Sequence, residues 1–232
     1  MLDLAEENEY PDLGDKYQGD IIRPSDLQRG DSRNAVKIES HLWPGGVIPY
    51  VLHSNYTGDR KKMMMAAMRG LEKETCIKFV PWSGQQDYVL MRTVPGDGCY
   101  AMVGRYKDLG QPHPLNLESG CFRGPGAIQH ELLHVIGLYH EQSRPDRDDY
   151  VNVLWNNIPK KFWPDFSKAN PSEVSTYGVA YGYDSIMHYP KTAFSKNGKP
   201  TIVAKKDPSK ELGQRKKPTK GDILKVRKMY KC

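Results

Sequence analysis

Residues 130–140 read His-Glu-Leu-Leu-His-Val-Ile-Gly-Leu-Tyr-His, placing three imidazoles and one carboxylate within eleven positions. On a helix, His130 and His134 lie four apart, project from the same face and can share one zinc ion. Glu131 is turned off that face by about 100°, the step of a helix with about 3.6 residues per turn. Its carboxylate is thereby kept off the metal yet near a water bound to it. Gly137 permits a left-handed backbone at the helix end, and the sharp return brings His140 within reach as a third ligand. Three protein ligands leave one position for water, the arrangement of a catalytic rather than a structural zinc site. The implied chemistry is hydrolysis, with water acidified toward a pKa of about 7 and Glu131 as the base that moves its proton.

The elements that must position these groups can be read around them. A helix is expected over 126–136, entered from Gly124-Pro125. Ahead of it, 47–52, 77–80, 88–93 and 99–105 have strand character, and 115–117 is a further strand, read as a possible edge. Between the first two, 60–73 carries Met64, Ala67, Met68 and Leu71 at spacings of three and four, an amphipathic helix. After the zinc helix, 141–184 is rich in Pro, Asn, Asp and Tyr, with only a short helix around 159–166. Thr219 followed by Asp222 starts a last helix with a capping-box pattern. Strands and an early helix thus precede the zinc helix, while loops and a late helix follow it. This order suggests an α+β fold of two lobes with the metal in the cleft between them.

The eleven-residue pattern is the metzincin signature, which predicts a methionine-containing turn downstream; Ser185-Ile186-Met187-His188-Tyr189 supplies it. Glu141 directly follows the third histidine, and Arg144-Pro145-Asp146-Arg147-Asp148 comes next. With Trp43-Pro44-Gly45-Gly46-Val47-Ile48-Pro49-Tyr50, Gly213-Gln214-Arg215 and the final Tyr230-Lys231-Cys232, the chain resembles the astacin family of zinc endopeptidases over roughly residues 34–232. The resemblance implies a metzincin-type domain, with a mixed sheet and helices in the N-terminal lobe. It also implies an irregular C-terminal lobe ending in a helix.

The resemblance further assigns roles. Tyr189 would be a displaceable zinc ligand that swings away to donate its hydroxyl to the oxyanion, and Met187 an apolar floor beneath the metal. Arg215 would line the pocket for the residue after the cut bond and favour Asp, then Glu, there. Cys76–Cys232 and Cys99–Cys121 would be the disulfides, whereas four cysteines alone allow three pairings. Tyr17-Gln18-Gly19-Asp20 resembles the family's latency motif, with Asp20 a zinc ligand in the precursor only. Residues 1–33 would then be a pro-segment and 34–232 the catalytic domain, separated by a trypsin-like cut between Arg33 and Asn34, with Arg29 as a competing site. The freed amine would pair with Glu141.

Composition agrees with this division. Residues 1–33 carry four Lys/Arg and nine Asp/Glu, a net −5, and the remainder carries +11, so an acidic leader precedes a basic domain. Few large apolar residues and no sustained periodicity mark 1–33 as an extended leader. No run of eighteen apolar residues forms a membrane span, and no interleaved aromatic and basic motif points to nucleic acid. Disulfides imply a secreted, extracellular protein, as does the Asn55-Tyr56-Thr57 glycosylation sequon. Expected partners are protein or peptide substrates and an activating protease. A different metzincin or short-peptide hydrolase is the enzymatic alternative. A zinc-stapled binding module is the non-catalytic one, and Glu131 argues against it because a structural site has no use for that carboxylate.

Overall fold

The computed structural model describes residues 16–23, 41–107, 109–110, 112–172 and 174–232. Short β-rich runs in the first half build a five-stranded sheet from β1 (Val47–Leu52), β2 (Lys78–Pro81), β3 (Val89–Arg92), β4 (Cys99–Ala101) and β5 (His113–Leu117). Its order is β2-β1-β3-β5-β4, with the first four in the row parallel and β4 antiparallel to β5. Helix α1 (Gly58–Glu74) buries Met64, Ala67, Met68 and Leu71, the stripe expected from their spacing. These side chains share one apolar core with Ile48, Val89, Met91 and Leu115 of the sheet and with Ile128, Leu132 and Ile136 of α2 (Pro125–Ile136).

Two strand expectations need correction. The segment read as a possible edge is β5, which lies between β3 and β4 with all five residues buried. Burial on both faces follows from its neighbours, which no local pattern reveals; Pro114 keeps its place there through its carbonyl, which accepts from Met102 N at 3.2 Å. The strand expected over 99–105 stops at Ala101. The chain leaves the sheet because Gly104, at φ 69°, turns onto the zinc helix and donates its N–H to the His134 carbonyl at 2.9 Å.

The C-terminal lobe contains short 3₁₀ turns at Glu141–Ser143, Arg147–Asp149, Trp155–Asn157 and Lys160–Phe166. It also contains an antiparallel pair that the sequence reading did not anticipate, β6 (Val151–Val153) with β7 (Ile202–Ala204). A second core of Val151, Ile158, Phe166, Tyr181, Tyr189 and Ile202 lies under them. The final helix α3 (Lys220–Tyr230) starts with a complete capping box: Asp222 N donates to Thr219 Oγ1 at 3.2 Å, and Thr219 N to Asp222 Oδ2 at 2.8 Å. Disulfides join Cys76 to Cys232, tying the chain end to the N-terminal lobe, and Cys99 to Cys121. No helix among the described residues is long and apolar enough to cross a membrane.

Candidate metal centre

Helix α2 begins at Gly124 and Pro125 and is pressed at once against the C-terminal lobe: a Cβ on Gly126 would overlap the Arg215 carbonyl oxygen. It ends at Gly137, whose φ of 127° lets its N–H close onto the carbonyls of Leu133 and His134. The chain then returns so that His140 faces the two helical histidines, with ring centroids 4.7–5.3 Å apart among the three. All three are buried, as are Glu131 and Asp20.

Each imidazole is oriented by its Nδ1. His130 Nδ1 donates to the Ile186 carbonyl at 2.8 Å, His134 Nδ1 to the Leu138 carbonyl at 2.7 Å and His140 Nδ1 to Gln18 Oε1 at 3.0 Å. A carbonyl oxygen only accepts, so these bonds leave the Nε2 atoms as lone-pair donors for a metal. The Nε2 atoms converge on the Asp20 carboxylate, at 2.8 Å for His130, 3.5 Å for His134 and 3.2 Å for His140. One ligand atom from each of the four residues lies within 4.8 Å of all the others. Burial pushes the His140 imidazole toward its neutral form, with Asp20 working against that. Burial also opposes charge on Asp20, yet His140, His134 and His130 together hold its carboxyl well below the ordinary carboxylate range. Three imidazole nitrogens and one carboxylate, converging in the interior, form a site that a cation would complete. Asp20 Oδ1 and His134 Nε2 make no hydrogen bond among the described residues. Three imidazoles with one carboxylate fit zinc.

Residues 16–22 reach this cluster through a tight turn. Gln18 and Gly19 have φ of 50° and 90°, and Gly19 N donates to Lys16 O at 2.8 Å, which turns Asp20 inward. Asp20 O then accepts from Ala101 N at 2.9 Å, and Ile22 N donates to Ala101 O at 3.0 Å, so residues 20–22 lie along the outer edge of β4. Tyr189, fully buried, donates its hydroxyl to the Gln18 carbonyl at 2.6 Å. Met187 is buried in the N-terminal core cluster.

Arg215 braces the Ser185–Tyr189 turn from outside the cluster, its Nη1 donating to the carbonyls of Ile186 (2.6 Å), His188 (3.2 Å) and Gln214 (3.1 Å). Glu141 is not part of the four-residue cluster. Its carboxylate accepts from Lys225 Nζ at 2.5 Å, Arg144 Nη1 at 3.0 Å and Gly182 N at 2.9 Å. Arg33 and Asn34 lie outside the described residues. Gln18, Gln142 (which accepts from Tyr189 N at 3.0 Å) and Lys225 were not singled out from the sequence. Only the position of Gln18 beside Asp20 offered a signal.

A family model described as Astacin, a peptidase family, matches residues 35–231. The chain belongs to the astacin family. Among relatives, zinc metalloproteinase nas-4 of Caenorhabditis elegans is 38% identical over 227 residues, 96% of this chain and 71% of that protein. Human Tolloid-like protein 1 is 39% identical over 204 residues, 86% of this chain and 20% of that protein. The chain therefore spans about seven tenths of one relative and a fifth of the other. High choriolytic enzyme 1, a hatching enzyme zinc-protease of the medaka Oryzias latipes, superposes with a TM-score of 0.77 at 35% identity, covering 86% of this chain and all of that one. Myroilysin, at 20% identity and a TM-score of 0.62, shares the fold. This astacin chain is a zinc metalloendopeptidase by family, and its four cysteines form the two disulfides named above.

Proposed function

We propose that the chain is the latent precursor of a secreted endopeptidase that cuts internal peptide bonds of proteins, with residues 1–33 as pro-segment and 34–232 as catalytic domain. The observation that carries this reading is the Asp20 carboxylate, buried against three imidazoles whose Nδ1 protons are all committed elsewhere. His130, His134 and His140 would hold zinc, joined by Asp20 in the precursor. When bound, zinc supplies a Lewis acid that polarises the scissile carbonyl and acidifies the attacking water.

The chain's own residues do the rest. Glu131, one position along α2 from His130, takes the proton from the water and returns it to the leaving amine. Tyr189 donates its hydroxyl to the oxygen that becomes negative. Its 2.6 Å bond to the Gln18 carbonyl supports this, since a peptide carbonyl is already the partner of that hydroxyl. Arg215, fixed by three backbone carbonyls, selects a carboxylate side chain after the cut bond. The two disulfides support an extracellular setting. Removal of the leader between Arg33 and Asn34 would free an amine to join Glu141. A cavity bordered by Leu42, His140, Glu141, Tyr177, Lys225 and Met229 adjoins that carboxylate and supports the docking.

Limited trypsin treatment should yield caseinolytic activity that a zinc chelator abolishes; a cut chain that never hydrolyses casein would overturn the reading. Asp20→Ala should raise the activity of the uncut chain at least about tenfold, the effect of losing roughly 1.4 kcal/mol or more of capping. An Asp20→Ala chain as silent as the parent would show that coverage, not ligation, maintains latency. Peptide-library profiling of the activated enzyme should enrich Asp after the cut, and Arg215→Ala should remove that enrichment.

A further inference from the structure

On the N-terminal lobe, Lys16 of the leader makes a charged contact with a site whose other bonds do not involve the leader. Lys16 Nζ lies 2.9 Å from Asp97 Oδ1 and 5.0 Å from the centroid of the Tyr100 ring. The Tyr100 hydroxyl donates to Asp97 Oδ2 at 2.9 Å and receives from Arg92 Nη2 at 3.0 Å. The loop that carries Asp97 is pinned: Val94 N donates to Asn116 Oδ1 at 2.8 Å, Asn116 Nδ2 to Gly98 O at 2.6 Å and Gly96 N to Glu118 Oε2 at 2.9 Å. Burial would push the Asp97 carboxyl up, but Lys16 and Tyr100 hold it below the usual range, as an anion. The side chains of Lys16 and Asp97 remain 30% and 32% exposed, so the site opens to solvent.

Its position decides what could use it. Asp97 stands just before β4, whose outer edge already takes residues 20–22 of the leader while Asp20 occupies the cluster. A peptide that replaced the leader along this edge would pass Asp97 as well.

We propose that Asp97 and Tyr100 form a subsite for a lysine or arginine side chain of the peptide being cut, filled by Lys16 until the leader leaves. It rests on the endopeptidase reading above. The leader runs parallel to β4 at Ile21 and Ala101. A substrate added antiparallel, the commoner pairing, runs the other way and sets the residues that follow the cut bond nearest Asp97, because Asp97 precedes Ala101 along the chain. The basic side chain therefore belongs on the leaving-amine side, beyond the residue that Arg215 reads.

The test uses the full chain activated by trypsin, which is then quenched, on paired peptides that differ only by Lys or Ala at each position after the cut. One position should favour Lys by about fivefold in kcat/KM, carried by KM, the scale of a partly exposed ion pair. Asp97→Asn should erase the preference, so that the Lys and Ala peptides are cut with equal kcat/KM, and Asp97→Lys should shift it to Asp or Glu. No basic preference, or a preference that survives Asp97→Asn, overturns the subsite. Fluorescence anisotropy of the same peptides on the activated Glu131→Gln chain ranks them without turnover. A wild-type enzyme that cuts nothing would sink the endopeptidase reading, yet the anisotropy ranking would still decide for or against the subsite.

Discussion

The two lobes hold their halves of the site by different means. The N-terminal lobe is an apolar assembly: a sheet and two helices share one core, and α2 presents His130, Glu131 and His134 from a buried helix whose face is set by packing. The C-terminal lobe has few regular elements, and its buried interior carries Glu141, Arg144, Arg147, Ser185, His188, Asp222 and Lys225. Beside its own smaller apolar core, it is held by polar contacts across the chain, such as Asp222 with Ser185 Oγ at 2.5 Å and Ile186 N at 3.2 Å. Arg147 Nη1 likewise donates to the carbonyls of Gln142 (3.1 Å) and Phe166 (2.6 Å). His140 and Tyr189 are therefore brought to the site by the irregular lobe, whereas the helix places His130 and His134 and the carbonyls of Ile186 and Leu138 then set their ring orientation. One lobe supplies a rigid platform and the other a fitted cover.

That contrast can be broken first at the chemistry. Glu131→Gln, on the platform, should fold, keep its zinc and lose up to about 10,000-fold in kcat/KM after activation. Tyr189→Phe, on the cover, should lower kcat by about 100-fold with KM nearly unchanged. Steady-state kinetics with a metal assay separates the two, and near-normal turnover in either variant would remove that residue from its proposed role.

The disulfides sharpen the comparison at the level of stability. Cys76–Cys232 spans 156 residues and joins the lobes, while Cys99–Cys121 spans 22 within one of them. Loop entropy predicts losses of about 5 and about 3 kcal/mol on replacing each pair by alanine. Urea denaturation should show the larger loss for the first pair, and equal losses would mean that the cover does not depend on that tie.

The smallest expected effect concerns pH. His188 is buried under the cover between the Tyr181 hydroxyl (2.8 Å) and the Tyr189 carbonyl (2.7 Å), and burial pushes its pKa down from 6.5 to about 4. A histidine kept neutral in the folded state favours folding fully above the unfolded pKa, and that contribution is lost as pH falls from about 6.5 to about 4. His188→Gln should start less stable at pH 7 and fall less steeply toward pH 5. Melting curves at the two pH values check this, and hydrogen exchange should place the acid-sensitive opening in the C-terminal lobe while β1, β3 and β5 stay protected.

The parts of the molecule whose causes are local are legible in the amino-acid order. The zinc helix, the glycine that ends it, the apolar stripe of α1 and the Thr219–Asp222 cap depend on neighbours within a turn or two. The family motifs extended that reading to Met187, Tyr189 and the disulfide partners. Long-range packing is what makes β5 interior, pairs β6 with β7 across about fifty residues and brings Lys225 to Glu141. It alone aimed Arg215 at the carbonyls of Ile186 and His188 and set Gln18 against His140. These partners are far apart in sequence, and each contact is selected by which other surfaces are already packed. A polar side chain with many acceptable partners acquires one only when the fold brings a single candidate within hydrogen-bond distance.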